Sequence, residues 1–270
     1  METTMQNLKD TTSKTLIFLQ NLTKLYGKNQ EIKAVDGINL EIYEGETFGL
    51  LGPNGAGKTT TIRILNSIIK PTHGSASIAG HDIITDAKKV KEITGLLAES
   101  PGIYQKLTPV EFLEFMGALY HIPKAQLTTR IEGLLKFFLL YDRKDYLLEG
   151  FSTGMKQKVL IAAALIHNPS VIFFDEPTAG LDPRAAAIVK DLIYELAKQE
   201  GKTVIISSHI LPIIEDLCDR IGIIYQGKLI IVGTLEEILD QTNCSTLEEA
   251  FISLTGGKST PGENWSEFMS

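Results

Sequence analysis

Cysteine is scarce here: Cys218 and Cys244 are the only two in 270 residues. They are too few and too far apart in the chain for a disulfide framework or a zinc cluster. That scarcity suits a reducing, cytosolic compartment. Long apolar runs are missing as well. The run 159–166 is broken by His167 and Asn168, far short of the ~18 residues that a membrane-spanning helix needs. Residues 1–14 are rich in Thr and charge and have no apolar centre, so they read as a flexible leader rather than a secretory signal. Positive charge is in deficit: 26 Lys and Arg stand against 33 Asp and Glu, a net charge of -7. Broad nucleic-acid binding needs clustered cations to displace phosphate counterions, so nucleic acid is not expected as a partner. No internal repeat is visible. What is present, 43% hydrophobic and 22% charged residues, is the balance of a globular chain with a real core: one large domain, or a core with a smaller lobe.

The order of patterns predicts an α/β architecture with a helical insertion. Segments 16–25 and 32–42 read as strands parted by Gly27-Lys28-Asn29. The apolar run 47–51 enters a glycine-rich loop, 59–69 continues as a helix stopped by Lys70-Pro71, and 75–79 is another short strand. The middle is helical. Thr108-Pro109-Val110-Glu111 has the residues of a capping box with proline at the first helical position, opening a helix to about Tyr120. Further helices are expected over 124–140 and 155–166, joined by a link at 144–150. Alternation then returns. The run 171–174 is a strand of the buried parallel kind, Asp182 and Pro183 open a helix that Gly201 closes, and 203–207 is the next strand. Segments 221–225 and 228–232 form a hairpin about Gln226-Gly227, and Thr234 with Glu237 and Ser245 with Glu248 cap two last helices. The expected division is 15–94 and 168–233 as α/β core with an antiparallel β layer, 95–167 as helical subdomain, 234–257 as C-terminal helices and 258–270 as a disordered tail.

Between an expected strand and an expected helix, Gly52-Pro53-Asn54-Gly55-Ala56-Gly57-Lys58-Thr59 satisfies the G-x-x-x-x-G-K-[ST] pattern. Glycines let backbone N–H groups converge on phosphate oxygens, and the helix start adds its positive dipole end. Lys58 can reach the β- and γ-phosphates, Thr59 can offer a hydroxyl to Mg²⁺, and Thr60 follows as a further nucleotide contact. A nucleoside triphosphate is the ligand this loop implies. The apolar run 171–174 ends in Asp175 and Glu176, at the strand edge where open α/β sheets hold ligands. Asp175 fits a metal-holding carboxylate, and Glu176 fits the base that polarises an attacking water.

Phe151-Ser152-Thr153-Gly154-Met155-Lys156-Gln157-Lys158 opens the last helix of the insertion. Ser152 suits an N-cap, but capping does not explain the whole string. Here the sequence resembles the ATP-binding cassette (ABC) transporter ATPases, whose signature reads L-S-G-G-[QM]-x-Q-[RK]. The departures at Phe151 and Thr153 resemble those of exporter-type cassettes. The resemblance runs over about 16–256. It implies a P-loop NTPase core with a mostly parallel sheet, an antiparallel β layer and an inserted helical subdomain. It implies Mg²⁺-dependent ATP hydrolysis with Lys58, Glu176 and His209 in the chemistry, His209 being the switch histidine of Ser207-Ser208-His209. Tyr26 matches the aromatic that stacks on adenine, Asp182 ends the D-loop, and Ser152 with Gly154 would meet the nucleotide of a second ATPase subunit in a two-ATP sandwich. The implied partner is a separate integral-membrane permease, which would place the chain at the cytoplasmic face of the cell membrane. His73, His81, His121 and His167 acquire no role.

Glu99 departs from this pattern, since the family usually has Gln there, in a loop that contacts metal or water. Two rivals are weaker. Soluble cassette ATPases of translation or DNA repair usually carry tandem cassettes or a coiled-coil insertion, which this chain lacks. P-loop GTPases need N-K-x-D, which is absent, and neither they nor P-loop kinases explain 151–158.

Overall fold

The computed structural model describes residues 14–99 and 102–256. The expected tail, and all but one residue of the expected leader, lie outside them. β1 (Thr15–Tyr26) and β2 (Ile32–Tyr43) form a long antiparallel hairpin. β3 (Thr47–Leu51) leads through the glycine-rich loop into α1 (Lys58–Leu65). β4 (His73–Ile78) and β5 (His81–Asp82) complete a four-stranded antiparallel sheet of order β2-β1-β4-β5. α2 (Ala87–Ile93) and β6 (Thr94–Leu97) precede the helical lobe of α3 (Pro109–Leu119), α4 (Lys124–Phe137) and α5 (Thr153–Leu165). The chain returns through β7 (Val171–Asp175), α6 (Pro183–Tyr194), β8 (Thr203–Ser208) and α7 (Leu211–Leu217). It finishes with β9 (Arg220–Tyr225), β10 (Lys228–Gly233), α8 (Leu235–Thr242) and α9 (Leu247–Leu254). The second sheet has the order β10-β9-β3-β8-β7-β6, parallel from β9 to β6 with β10 antiparallel at its edge.

The apolar runs of β3, β7 and β8 are buried along their whole length because the sheet is covered on both sides. Strand alternation divides each run between two cores. Ile172, Phe174, Val204 and Ile206 face the helical side, whereas Val171, Phe173 and Ile205 face the antiparallel sheet and α1. Each such side chain stabilises the fold by about 1.5–3 kcal/mol relative to exposure. The helical lobe has no separate core. Leu113 of α3, Leu135 of α4 and Val159 of α5 belong to the same cluster as Ile172 and Phe174. Gly95 allows this join: a Cβ there would lie 2.3 Å from the Ala164 carbonyl oxygen.

Several boundaries differ from the sequence expectation, each for a local reason. α1 ends at Leu65, not 69, because the Asn66 side chain donates to the Ile62 carbonyl (2.9 Å) and Ser67 turns to φ +55°. α4 stops at Phe137, short of 140, as Leu139 adopts φ +57°. β6 was not expected, yet it pairs in parallel with β7, so the sheet extends past the boundary placed at 95. α2 and α7 are short additions that were also not expected. The final cap is Thr246, accepting from the Glu249 N–H, one residue beyond the expected Ser245–Glu248 pair. The capping boxes at Thr108–Glu111 and Thr234–Glu237 are formed as read.

Candidate functional site

The C-terminal ends of β3, β8 and β7 lie side by side, and register fixes what meets there. Leu51 pairs with Ser208, and Ser207 pairs with Asp175. Residues 52–57 wrap over this edge into α1. Gly57 takes φ +114°, and a Cβ there would stand 2.4 Å from the Ala34 carbonyl oxygen, so only glycine fits the bend. No side chain caps the first N–H groups of α1. With the dipole of the helix, those donors suit an anion.

The loop encloses a cavity of about 150 Å³ lined by Ala34, Pro53, Asn54, Gly55, Ala56, Gly57, Lys58, Thr59, Thr60, Glu99 and Glu176. Lys58 and Glu176 are each 6% exposed, with Nζ 3.5 Å from Glu176 Oε1. Lys58 also donates to the carbonyls of Gly52 (2.6 Å) and Pro53 (3.2 Å). His209 Nδ1 lies 2.9 Å from the same Oε1, and Ser208 Oγ donates to Oε2 at 3.4 Å. An ionised carboxylate can only accept, so in this contact Nδ1 carries the proton. Glu176 itself has φ +53°, a left-handed backbone that costs a non-glycine residue about 1–3 kcal/mol and concentrates at functional sites. The arrangement places a fixed cation, a buried carboxylate and an imidazole beside a phosphate-shaped loop.

The oxygen donors suit a hard divalent cation. Thr59 Oγ1 and Glu99 Oε2 are 3.5 Å apart, and Asp175 is 1% exposed at the end of β7. Among the described residues no three acidic, His or Cys groups gather into a metal cage. Mg²⁺ does not need one, since it is normally held by one or two carboxylates, water and substrate phosphates.

Other expected residues stand apart from the cavity. Tyr26 ends β1 as a residue 40% exposed, with Lys24 Nζ 5.1 Å from its ring centre. Ser152 caps α5 by accepting from the Met155 N–H (3.3 Å), and Asp182 caps α6 by accepting from the Ala185 N–H (2.9 Å). Gly154 lies in the first turn of α5. Gln157 donates to the Pro177 carbonyl (3.2 Å), tying α5 to the segment that follows Glu176. Sequence reasoning did not single out Ala34 or assign roles to Ser207 and Ser208. The only signal was two hydroxyls directly after the apolar run 204–206.

Comparison with known proteins agrees with this geometry. Residues 35–179, more than half of the chain, match the family described as ABC transporter. The ABC transporter ATP-binding protein NatA of Bacillus subtilis is 40% identical over 84% of this chain and 92% of its own length. The daunorubicin resistance ATP-binding protein DrrA3 of Streptomyces coeruleorubidus is 36% identical over 84% of this chain and 71% of its own length. A dimeric ATP-binding cassette solved in a post-hydrolysis state with ADP and Pi superimposes with a TM-score of 0.75 at 28% identity, covering 82% of this chain and 99% of that one. The chain belongs to the ABC transporter family, as one of its ATP-binding, ATP-hydrolysing subunits.

Proposed function

We propose that this chain works as a pair, closing two ATP molecules between two copies and driving a separate membrane permease that exports its cargo. The observation that carries the reading is the buried Lys58–Glu176 contact at the mouth of the phosphate loop, met from the solvent side by His209. Lys58 binds and screens the β- and γ-phosphates. Glu176 polarises the attacking water, oriented by His209 from one side and Ser208 from the other. Thr59 and Asp175 hold Mg²⁺ with help from Glu99, and the metal, when bound, offsets phosphate charge. Tyr26, open at the end of β1, stacks on adenine. Ser152, Gly154 and Asp182, all outside the cavity, serve the partner copy's nucleotide in this reading; a similar cassette is dimeric with ADP and Pi bound.

No helix among the described residues is long and apolar enough to cross a membrane. The permease in this reading is a separate chain, with this one seated on its cytoplasmic face, as the relatives named as ATP-binding proteins of transporters suggest. Ile68, Tyr104, Phe115 and Leu119 are exposed around a hollow of about 480 Å³ between lobe and core, a surface suited to a protein partner. Export follows from the signature departures and from the resistance named for DrrA3. Affinity capture from detergent-solubilised membranes tests the reading and should bring down a multi-span membrane protein. Capture of ribosomes or DNA-repair complexes instead would overturn it.

A further inference from the structure

We propose that Ser207 is a positioning residue for Asp175, orienting the carboxylate that holds the divalent cation; the inference rests on the metal role given to Asp175 above. Ser207 is fully buried at 0% and Asp175 is 1% exposed. They are direct partners across the parallel pair β7 and β8, so both side chains leave the same face of the sheet. Ser207 Oγ donates to Asp175 Oδ1. The Ser207 carbonyl also accepts from the Glu176 N–H at 3.1 Å. One residue thus holds the metal-site carboxylate through its side chain and the next residue through its backbone.

A hydroxyl has no packing reason to be here. The strand is apolar from Val204 to Ile206, and a buried hydroxyl is unfavourable unless bonded. The terminal torsion of an aspartate is soft, so an unheld carboxylate rotates. Among the described residues no other side-chain hydrogen bond reaches Asp175. The serine has one proton, and its donation to Oδ1 fixes the carboxylate plane and leaves Oδ2 for the cation. Mg²⁺ tolerates little departure from octahedral geometry, so a misaimed donor weakens binding.

The test uses the full-length protein with Mn²⁺ as probe, titrated in the presence of a β,γ-imido ATP analogue and followed by electron paramagnetic resonance. Ser207→Ala, and Ser207→Cys as the volume-keeping variant, should each bind Mn²⁺ about tenfold more weakly, while Ser207→Thr, which keeps the hydroxyl, should stay within about twofold of the parent. Nucleotide affinity in EDTA should be unchanged in all three. Asp175→Asn, as control, should lose more than any of them. Parent-like Mn²⁺ binding in Asp175→Asn would remove the metal role of Asp175, and the proposal with it. Loss in Asp175→Asn with parent-like binding in Ser207→Ala and Ser207→Cys would overturn the proposal alone. So would equal weakening in all three serine variants that tracks a fall in melting temperature.

Discussion

At Lys58 the ammonium has three oxygen neighbours inside the protein: two loop carbonyls and the Glu176 carboxylate. Its charge is therefore held within the cavity before any phosphate binds, and such preorganisation is worth most when charge develops on a transferring phosphoryl group. Lys58→Ala should lower kcat/KM for ATP by at least about 100-fold, the loss of ~2.7–4 kcal/mol typical of one such donor. Phosphate release measured against ATP concentration checks this, and turnover within about twofold of the parent would contradict it. Glu99 is a different case, because two effects oppose each other there. Its carboxylate is a harder, more anionic donor than an amide and should strengthen the hold on Mg²⁺. It also adds negative charge to a cavity that already contains the Glu176 carboxylate, and like charges repel. With Mg-ATP bound, the divalent cation is the largest local charge and dominates. Glu99→Gln should keep ATPase activity but need more Mg²⁺ for half-maximal turnover, and Glu99→Ala should be impaired further. Identical magnesium curves for all three proteins would make Glu99 an ordinary loop carboxylate.

Where elements meet, His167 shows what a residue without catalytic duty can do. It follows α5, stacks on Tyr120 after α3 (centroids 3.7 Å apart, planes within 2°) and lies with Nε2 2.9 Å from the Thr94 carbonyl of β6. Three elements are thus joined by one ring. The carbonyl can only accept, so Nε2 carries the proton, while Nδ1 is buried without a partner. Burial holds this imidazole below its ordinary pKa; the Thr94 carbonyl opposes the shift and the charges of Arg130 and Lys202 add to it. A group with a depressed folded pKa contributes stability above its unfolded value of about 6.5 and loses it as pH falls further. His167→Gln can keep the donor without titrating, so it should melt lower at neutral pH yet lose less on acidification. Melting curves at neutral and mildly acidic pH decide this, and equal acid sensitivity would remove His167 from the joint. Elements of this kind were the hard ones to read. β3, β7 and β8 were legible because burial on both faces forces continuous apolar runs, and the phosphate loop because its glycines meet a backbone demand. β6 is four residues long and held by the Gly95–Ala164 approach, and α2 and α7 are seven-residue helices set by packing rather than periodicity. In the site, Lys58, Asp175 and Glu176 stood out by motif. The Ser207–Asp175 and Ser208–Glu176 contacts did not, since each joins residues 32 apart that only strand order brings together.

For the molecule as a whole, the decisive feature is that lobe and core share one hydrophobic cluster and are linked again by Gln157 to Pro177. The start of α5 and the Glu176 turn are therefore mechanically coupled within one copy. In a sandwich, Ser152 and Gly154 of one copy would face the phosphate loop of the other, so ATP would be contacted from both sides. Each copy would then present its own catalytic carboxylate together with a binding edge for its neighbour's nucleotide. Hydrolysis would then weaken the pair, because the γ-phosphate would be the group the two copies share. Removing the base while preserving shape should separate these stages. Glu176→Gln keeps the side-chain volume and can still meet Ser208 and His209, but it cannot take a proton from water. It should abolish ATP hydrolysis while leaving nucleotide binding intact. With ATP and Mg²⁺ the variant should elute as a dimer in gel filtration, revert to monomer when ATP is replaced by ADP, and do neither when Lys58→Ala is added. A Glu176→Gln protein that binds ATP yet remains monomeric at high concentration would count against the two-copy sandwich, leaving only a pair assembled on the permease.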